Sequence, residues 1–359
     1  MTYYISISAI IIAIMIMMVI HVNKSNTVQA DARKAFTIGF IMTATCAACE
    51  MISIGNNVIF NLEPHILNKI MSLEYAIAPV IVLAWTKAIH STHYTRLTIP
   101  LLIMNCCLQF ISSFKGYVLY FDDACNYHVG EYYWIYLVTY IIVIFALFAE
   151  IWHFSKKYQH RNSIPLIISF VFMMFGVVAC NMSSETVHFV WFAVTTCGLM
   201  VYIYYIELII QTDQLTSLLN RRLYDSYIDD IQYDTAVIIL DVDDFKYIND
   251  TYGHAYGDSV LKTVASIILQ AYRKKGLCFR IGGDEFCVIL KRHHRLDEAG
   301  LKKLNSHFYE LLRNTRKSMP ILPNVSIGYA FRFGNTPIQQ TAEKADMMMY
   351  KHKRATKSR

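Results

Sequence analysis

The chain reads Arg280-Ile281-Gly282-Gly283-Asp284-Glu285-Phe286, in which a Gly-Gly pair lies between two runs rich in β-forming residues, 278–281 and 286–290. Two such runs joined by a pair of glycines are typical of a β-hairpin. Glycine is favoured in tight hairpin turns because it tolerates positive φ angles, so we expect both glycines to adopt them. The stretch therefore predicts a tight hairpin that carries two carboxylates at its tip.

A second stretch, Asp241-Val242-Asp243-Asp244-Phe245-Lys246, follows the continuous apolar run 236–240. This run predicts a buried strand, and carboxylates begin abruptly at its C-terminal end. A hairpin placed beside this strand would bring Asp284 and Glu285 next to Asp241. Three carboxylates at adjacent backbone ends make an all-oxygen site suited to Mg²⁺, and glycine backbone leaves room for a phosphate. We therefore expect a metal and phosphate site at this edge.

These stretches belong to five blocks that follow one another in the C-terminal part of the chain. The Asp241 block continues through Asp258, and the other three blocks are Asp213 to Arg222, Val325 to Ala330, and Ala345 to Lys353. With these blocks, the chain from Asp213 onward resembles the diguanylate cyclases that carry the GGDEF signature. The resemblance implies an α/β domain with an antiparallel central sheet and flanking helices. It also implies a homodimer, because each active site of the family needs two domains.

The family joins two GTP molecules into cyclic di-GMP and pyrophosphate, and each 3′-hydroxyl attacks the α-phosphate of the other nucleotide. By resemblance, Mg²⁺, or Mn²⁺ in its place, would be held by Asp241, the Val242 carbonyl, Asp284 and Glu285. The catalytic set would be Asp284 as proton acceptor, Lys246 beside the charge developing on phosphate, and Glu285. The substrate contacts would be Asn249, His254, Asp258, Gly282, Gly283, Lys353 and Lys357, with Asn249 and Asp258 on the guanine.

The chain departs from the family pattern at three places. Ser217 stands where the family often has Gly, and Lys357 stands where it often has Arg. Many relatives carry an Arg-x-x-Asp site for inhibition by product; here that register begins at Arg273 and ends at Gly276, without the acid. We therefore expect no strong product inhibition through this site.

Several residues near these blocks also have simpler interpretations. We interpret Asp243, Asp244 and Asp250 as turn or capping residues rather than metal ligands. For His254, a loop-capping role and a nucleotide contact remain open alternatives.

The N-terminal part is far more apolar than a soluble domain. The whole chain of 359 residues is 55% hydrophobic and 17% charged, and the apolar excess lies in the first 210 residues. Seven segments approach the length of about 20 residues that spans a bilayer. They are Tyr3 to Ile20, Phe36 to Gly55, Ile70 to Ala88, Leu97 to Ser113, Tyr132 to Trp152, Ile164 to Met182 and Val187 to Ile206. We therefore predict a seven-span helical membrane bundle.

Loop charges predict the orientation of this bundle. The loops after spans one, three and five carry eight basic residues: Lys24, Arg33, Lys34, Lys87, Arg96, Lys156, Lys157 and Arg161. The loops on the other side carry two, Lys69 and Lys115. Basic loops stay on the cytoplasmic side, so we predict an outer N-terminus and a cytoplasmic C-terminal domain in a bacterial inner membrane. Anionic lipid sufficiently explains the net charge of +6, and nothing calls for nucleic acid.

Carboxylates inside the spans are costly, which makes Glu50 and Glu74 informative. One interpretation is an outward-facing pocket for an extracellular or intramembrane ligand, with Trp134 and Trp191 nearby. The alternative is that each carboxylate is hydrogen-bonded within the bundle or hydrated near the headgroups. Cys125 in an outer loop and Cys180 at an outer span end are a candidate disulfide in an oxidising exterior.

The predicted organisation is a transmembrane sensor region at 1–206, a short helical linker at 207–212 and a GGDEF domain at 213–359. The leading functional hypothesis is a membrane-bound diguanylate cyclase under sensor control. A catalytically silent module that binds GTP or cyclic di-GMP and relays a signal is the main alternative. Two further alternatives are a transporter or channel with an appended domain, disfavoured by the absence of repeated or Gly/Pro-broken spans, and a cyclase that makes a mixed guanine-adenine dinucleotide, disfavoured by Asp258.

Overall fold

The computed structural model describes residues 2–25, 27–89, 95–157, 164–182, 190–290 and 297–357. The chain divides into two compact units, Met1–Glu207 and Leu208–Arg359. The first is helical apart from one small hairpin, and the second is a mixed α/β domain.

Seven long helices carry the apolar sequence of the first unit. They are α1 (Thr2–Lys24), α2 (Ala30–Gly55), α3 (Pro64–Ala88), α4 (Thr95–Lys115), α5 (Tyr133–Lys157), α6 (Ile164–Met182) and α7 (Val190–Gln211). Six of them, α1 to α5 and α7, are long and apolar enough to cross a membrane. Within α6, the described residues give a shorter apolar helix, Ile167–Val178. The helices thus coincide with the seven predicted segments, and six of the seven predicted spans meet both criteria.

Close packing around Trp85 draws three of these helices together. The Trp85 side chain is fully buried, and it lies against Gly39 of α2 and Gly198 of α7. A Cβ on Gly39 or Gly198 would come within 2.5 Å of the indole, so neither position has room for a side chain. Small residues let helix backbones approach closely in this way, and they suit association inside a bilayer, where hydrophobic burial gives little driving force.

A short hairpin between α4 and α5 packs on α3. Its strands are β1 (Leu119–Phe121) and β2 (Tyr127–Val129), and Leu119 and Phe121 bury their side chains against the start of α3. In its turn, Cys125 places its Sγ 3.7 Å from the Leu62 carbonyl oxygen. The side chain of Cys180 lies outside the described residues, so the predicted disulfide stays a prediction.

The second unit contains a four-stranded sheet with helices on both faces. Its elements are α8 (Arg221–Asp229), β3 (Thr235–Val242), α9 (Phe245–Tyr252), α10 (His254–Tyr272), β4 (Gly276–Arg280), β5 (Glu285–Leu290), α11 (Glu298–Arg316), β6 (Val325–Arg332) and α12 (Ile338–Lys357). The strand order is β4-β5-β3-β6, and every neighbouring pair is antiparallel. This sheet confirms the predicted α/β domain and its hairpin.

Strand β3 is the central element of this domain, and all eight of its residues are buried. Ile238 and Leu240 face a core shared with α10 and α11, whereas Val237 and Ile239 face a second core shared with α8 and α12. Successive side chains point to opposite sides of a sheet, so a continuous apolar run is what a strand covered on both faces requires. Burying one such side chain contributes about 1.5–3 kcal/mol.

The block before α8 forms a compact turn that attaches to the sheet. Ser217 adopts a left-handed backbone with φ of 60°, so it keeps a glycine-like conformation at the position where the family often has Gly. Leu219 bridges to Phe279 of β4, and its amide donates to the Cys278 carbonyl at 3.1 Å. Asn220 caps α8 by accepting from the Leu223 amide at 3.0 Å. The turn thus fixes the start of this unit against the edge strand.

Candidate active site

The carboxylates of the two diagnostic stretches meet at one edge of the sheet. Asp241 at the end of β3 pairs in register with Glu285 at the start of β5. The Val242 amide donates to the Asp284 carbonyl at 3.1 Å, which extends the pairing by one residue into the hairpin tip. The predicted placement of Asp284 and Glu285 beside Asp241 is therefore confirmed.

The hairpin tip differs from the expected tight turn. Neither Gly282 nor Gly283 adopts a positive φ, so that expectation was wrong. The connection is longer than a two-residue turn: the amides of Ile281 and Gly282 both donate to the Glu285 carbonyl, at 3.0 and 3.3 Å. A longer connection spreads the reversal over more residues and does not require left-handed glycines. At Gly282 a Cβ would lie 2.6 Å from Glu285 Oε2, whereas Gly283 has open space around it.

Arg280 links this tip to Asp213 through hydrogen bonds, a role that the sequence did not indicate. Its Nη2 donates to the Gly283 carbonyl at 2.8 Å, and its Nη1 donates to both carboxylate oxygens of Asp213, at 3.0 and 3.2 Å. Asp213 also accepts from the amide and hydroxyl of Thr216. Burial alone would raise the pKa of Asp213, but the hydrogen bonds from Thr216 and Arg280 outweigh it and lower that pKa. The guanidinium thus links the first turn of the unit to the signature loop.

Burial, with a smaller effect of neighbouring charges, raises the pKa values of Asp241 and Glu285. Burial raises the pKa of Asp241, the hydrogen bond from Lys353 opposes this rise, and the charges of Asp284 and Asp243 add to it. The pKa of Glu285 is likewise raised, first by burial and then by Asp241 and Asp284. Buried or like-charged neighbours disfavour the ionised form of a carboxyl group. The edge therefore carries more negative charge than its protein surroundings offset.

Among the described residues, Lys353 is the one cation that forms an ion pair with these carboxylates. It extends from α12, and its Nζ lies 2.5 Å from Asp241 Oδ1. Burial lowers the pKa of Lys353, but the hydrogen bond and charge of Asp241 outweigh burial and raise it. Gly328 of β6 lets α12 approach, because any Cβ there would collide with the α12 backbone. A lysine 112 residues away in sequence thereby reaches the carboxylate edge.

The donor set fits a divalent cation by its chemistry. Asp241, Asp284 and Glu285 supply carboxylate oxygens, which are the ligands that Mg²⁺ prefers. Their excess negative charge is what a divalent cation would neutralise. Among the described residues, no three acidic, His or Cys side chains are already gathered as a metal site, and the ammonium of Lys353 holds one of the oxygens.

Two neighbouring aspartates have structural partners. Asp243 is buried, and its Oδ1 accepts from the Ser326 hydroxyl at 2.7 Å. Asp244 occupies the N-cap position of α9 with a left-handed φ of 51°, without a side-chain capping bond. Asp250 is exposed on α9. Asp243 and Asp244 both lie in the turn before α9, as expected, but the side chain of Asp243 bonds to a distant strand and that of Asp244 makes no capping bond.

The predicted nucleotide residues lie on α9 and α10. Asn249 is half-buried, and its Oδ1 lies against Gly257, where a Cβ would overlap it. His254 and Asp258 are exposed on the first turns of α10, and Lys246 is exposed on the first turn of α9. The close contact at Gly257 places Asn249 beside the helix that carries Asp258. No motif or spacing in the sequence indicated this role for Gly257.

Lys357, Glu50 and Glu74 are the remaining predicted positions. The side chain of Lys357 is outside the described residues. Glu50 and Glu74 are both buried in the first unit, and Glu74 Oε1 accepts from Trp191 Nε1 at 2.8 Å. Trp134 is 60% exposed. One interpretation of Glu74 was a carboxylate hydrogen-bonded within the bundle, and the bond from Trp191 provides such a partner.

Comparisons with known proteins identify the family of the second unit. A family model described as "Diguanylate cyclase, GGDEF domain" matches residues 210–359. Diguanylate cyclase DgcN of Escherichia coli K12 is 34% identical over 156 residues, which cover 40% of this chain and 38% of that relative. The uncharacterized protein YhcK of Bacillus subtilis is 30% identical over 257 residues, 61% of this chain and 68% of that relative.

Solved structures include similar domains. The GGDEF domain of DgcB from Caulobacter crescentus, solved in complex with c-di-GMP, shares 28% identity at a TM-score of 0.35 and covers 41% of this chain and 89% of that chain. The chain spans less than two-fifths of the length of the E. coli relatives DgcN and DgcM, 38% and 37%. The similarity to these two is thus confined to part of each protein.

Proposed function

Because the chain belongs to the GGDEF family of diguanylate cyclases, we propose that its second unit condenses two GTP molecules into cyclic di-GMP and releases two pyrophosphates. The observation that carries this proposal is the register of β3 and β5, which pairs Asp241 with Glu285. It gathers carboxylates at the end of a rigid sheet, where a metal–nucleotide complex needs fixed oxygen ligands.

The metal site we propose comprises Asp241, the Val242 carbonyl, Asp284 and Glu285, with Mg²⁺ as the ion and Mn²⁺ as a substitute. A bound divalent ion would neutralise phosphate charge and orient the triphosphate. The protein's part is to hold its oxygens in place: β3 fixes Asp241, and the backbone bond between Val242 and Asp284 fixes the hairpin tip beside it.

Side chains around this edge would accept the proton and stabilise the developing negative charge. Asp284 would accept the proton of the attacking 3′-hydroxyl, with Glu285 beside it in the catalytic set. Lys246 on α9 would stabilise negative charge that develops on the phosphate. Lys353 and Lys357 would hold the terminal phosphates, and the open backbone at Gly283 gives a phosphate access to the hairpin tip.

Guanine recognition is assigned to α9 and α10. Asp258 would accept from the ring N1–H and the exocyclic amine of guanine, which needs an acceptor-only group there. Asn249 would contact the same base, and the contact at Gly257 fixes its position. His254 would be a further nucleotide contact.

We further propose a seven-span sensor region at 1–206, a linker at 207–212 and a cytoplasmic cyclase domain at 213–359. The six apolar helices and the positive-inside charge bias support membrane anchoring with an outer N-terminus. Glu50 and Glu74 would contribute to a sensor pocket for an outer or intramembrane ligand. Helix α7 would be the output element, and two domains would form a homodimer at the membrane.

The test is turnover of radiolabelled GTP by the full-length protein with Mg²⁺, with products separated by chromatography. The wild type should form cyclic di-GMP, and Asp284→Ala should form none while it stays folded. The exposed Asp250→Ala is the matched control, because this aspartate lies outside the proposed machinery, and it should keep wild-type turnover. A wild-type protein that binds GTP without forming product would favour the silent relay instead.

A further inference from the structure

We propose that Lys353 is a built-in counterion that leaves Asp241 when a divalent cation binds, and that its freed ammonium then holds the nucleotide phosphates. This inference rests on the proposed function. It adds an exchange of partners by one side chain, which would make metal binding and nucleotide binding depend on each other.

The geometry of the ion pair is the first argument. Lys353 Nζ lies 2.5 Å from Asp241 Oδ1, an oxygen of the carboxylate that the proposed function assigns to the metal. The Asp241 side chain is only 9% exposed and that of Lys353 is 24% exposed, so the pair is shielded from solvent. Such a pair is a defined contact rather than a transient surface encounter, which distinguishes it from exposed salt bridges.

The second argument is charge. The ammonium of Lys353 is paired with Asp241, and the charges of Asp243 and Asp284 also act on it. An ammonium and a divalent cation that share the Asp241 carboxylate would repel each other at short range, and the repulsion is strong away from bulk water. A metal ion therefore gains its full interaction with Asp241 only after the ammonium has moved away.

The third argument is that the Lys353 side chain can move while its helix stays in place. Gly328 packs α12 tightly against β6, so the helix itself is fixed. The lysine stem is long and flexible, which lets its ammonium change partners without any movement of the helix. A bound triphosphate would give the displaced ammonium a new anionic partner. Metal and nucleotide should therefore strengthen each other's binding, a reciprocal coupling.

The first experiment measures Mn²⁺ affinity of the full-length protein in lipid nanodiscs, without nucleotide, from the electron paramagnetic resonance signal of free Mn²⁺. Lys353→Met removes the competing ammonium and should tighten Mn²⁺ binding about tenfold, equivalent to about 1.4 kcal/mol. Lys351→Met is the matched control, because Lys351 is exposed on the same helix, and it should change affinity less than twofold. Equal affinities of the wild type and Lys353→Met would overturn the exchange.

The second experiment follows the lysine itself. Acylation of amines, read by mass spectrometry, should label Lys353 slowly in the metal-free protein and faster once Mg²⁺ is added without nucleotide. Lys351 should react at one rate in both conditions. Bound metal with Lys353 still protected would refute the exchange alone. If no variant bound Mn²⁺ with or without GTP, the proposed metal site would fail as well.

Discussion

Arg280 joins Asp213 to the Gly283 carbonyl, with one guanidinium nitrogen on the carboxylate at 3.0 Å and another on the carbonyl at 2.8 Å. Asp213 opens the first turn of the domain, and Gly283 lies at the tip of the signature hairpin. The Arg280 side chain is 15% exposed and its bonds to Asp213 are partly buried, whereas its bond to the Gly283 carbonyl is exposed. The position of the hairpin tip therefore depends on a residue at the entrance of the domain.

We expect Arg280→Met to lower kcat for cyclic di-GMP formation by about tenfold or more. Loss of the guanidinium leaves Asp213 and the Gly283 carbonyl without their shared donor, and hydrogen bonds to charged groups are worth about 1.5–3 kcal/mol each. Lys302→Gln is the control, since it breaks an exposed pair with Glu298 and should leave kcat unchanged. Equal kcat values for Arg280→Met and the wild type would contradict a supporting role for Arg280.

Gly257→Ala should raise KM for GTP by about tenfold, because the new methyl group would overlap Asn249 Oδ1 and displace that side chain. Asn249→Ala should cause a similar loss. Since both changes act on one contact, the double variant should be no worse than the single ones. Steady-state kinetics of the three variants measure this, and fully additive losses would show that Gly257 acts independently of Asn249.

Ser217→Gly should stabilise the protein by about 1 kcal/mol, because a left-handed backbone strains any residue with a Cβ. Ser217→Ala keeps that Cβ and serves as the control, with no stabilisation expected. Denaturant unfolding of the full-length protein, monitored for the second unit, measures the difference. A Ser217→Gly variant that is less stable than the wild type would mean that the serine side chain contributes more than its backbone strain costs.

Asp241→Asn should abolish turnover yet stabilise the metal-free protein at pH 7. The folded state raises the pKa of Asp241, so its ionisation costs stability as the pH rises through that raised value. The gain of the asparagine variant should thus be present at neutral pH and shrink as the pH falls toward the ordinary carboxyl range. Thermal unfolding between pH 7 and 4 measures it, and a less stable variant at pH 7 would show that the Lys353 pair outweighs burial.

Cyclic di-GMP should not inhibit the enzyme strongly through the register that begins at Arg273. Gly276 opens β4, pairs with Leu290 and offers no carboxylate. Arg273→Ala should therefore give the same inhibition curve as the wild type in turnover assays with added product. Submicromolar inhibition that disappears in this variant would contradict the expectation.

The sequence predicted those parts of the site that depend on local patterns. The apolar run before Asp241 predicted strand β3, and the runs around the signature predicted its hairpin, because strand-forming composition and alternation are local properties. Pairing of Asp241 with Glu285 followed from placing the two elements side by side.

Contacts between residues distant in sequence could not be predicted in this way. Lys353 meets Asp241 across 112 positions and Arg280 meets Asp213 across 67, and only tertiary packing determines such pairs. The hairpin turn was mispredicted because the glycine pair suggested a tight turn. In the structure the amides of Ile281 and Gly282 both donate to the Glu285 carbonyl, and the connection is longer. Hydropathy indicated seven spans, and six helices satisfy length and composition together.

The most direct test of the central claim measures cyclic dinucleotide and pyrophosphate in one reaction of the full-length protein with GTP and Mg²⁺. Condensation of two GTP molecules predicts two pyrophosphates for each cyclic di-GMP formed, and both products should vanish in Asp284→Ala. A dimeric, GTP-binding wild-type protein that releases neither product would contradict the account and identify the domain as a nucleotide-binding relay.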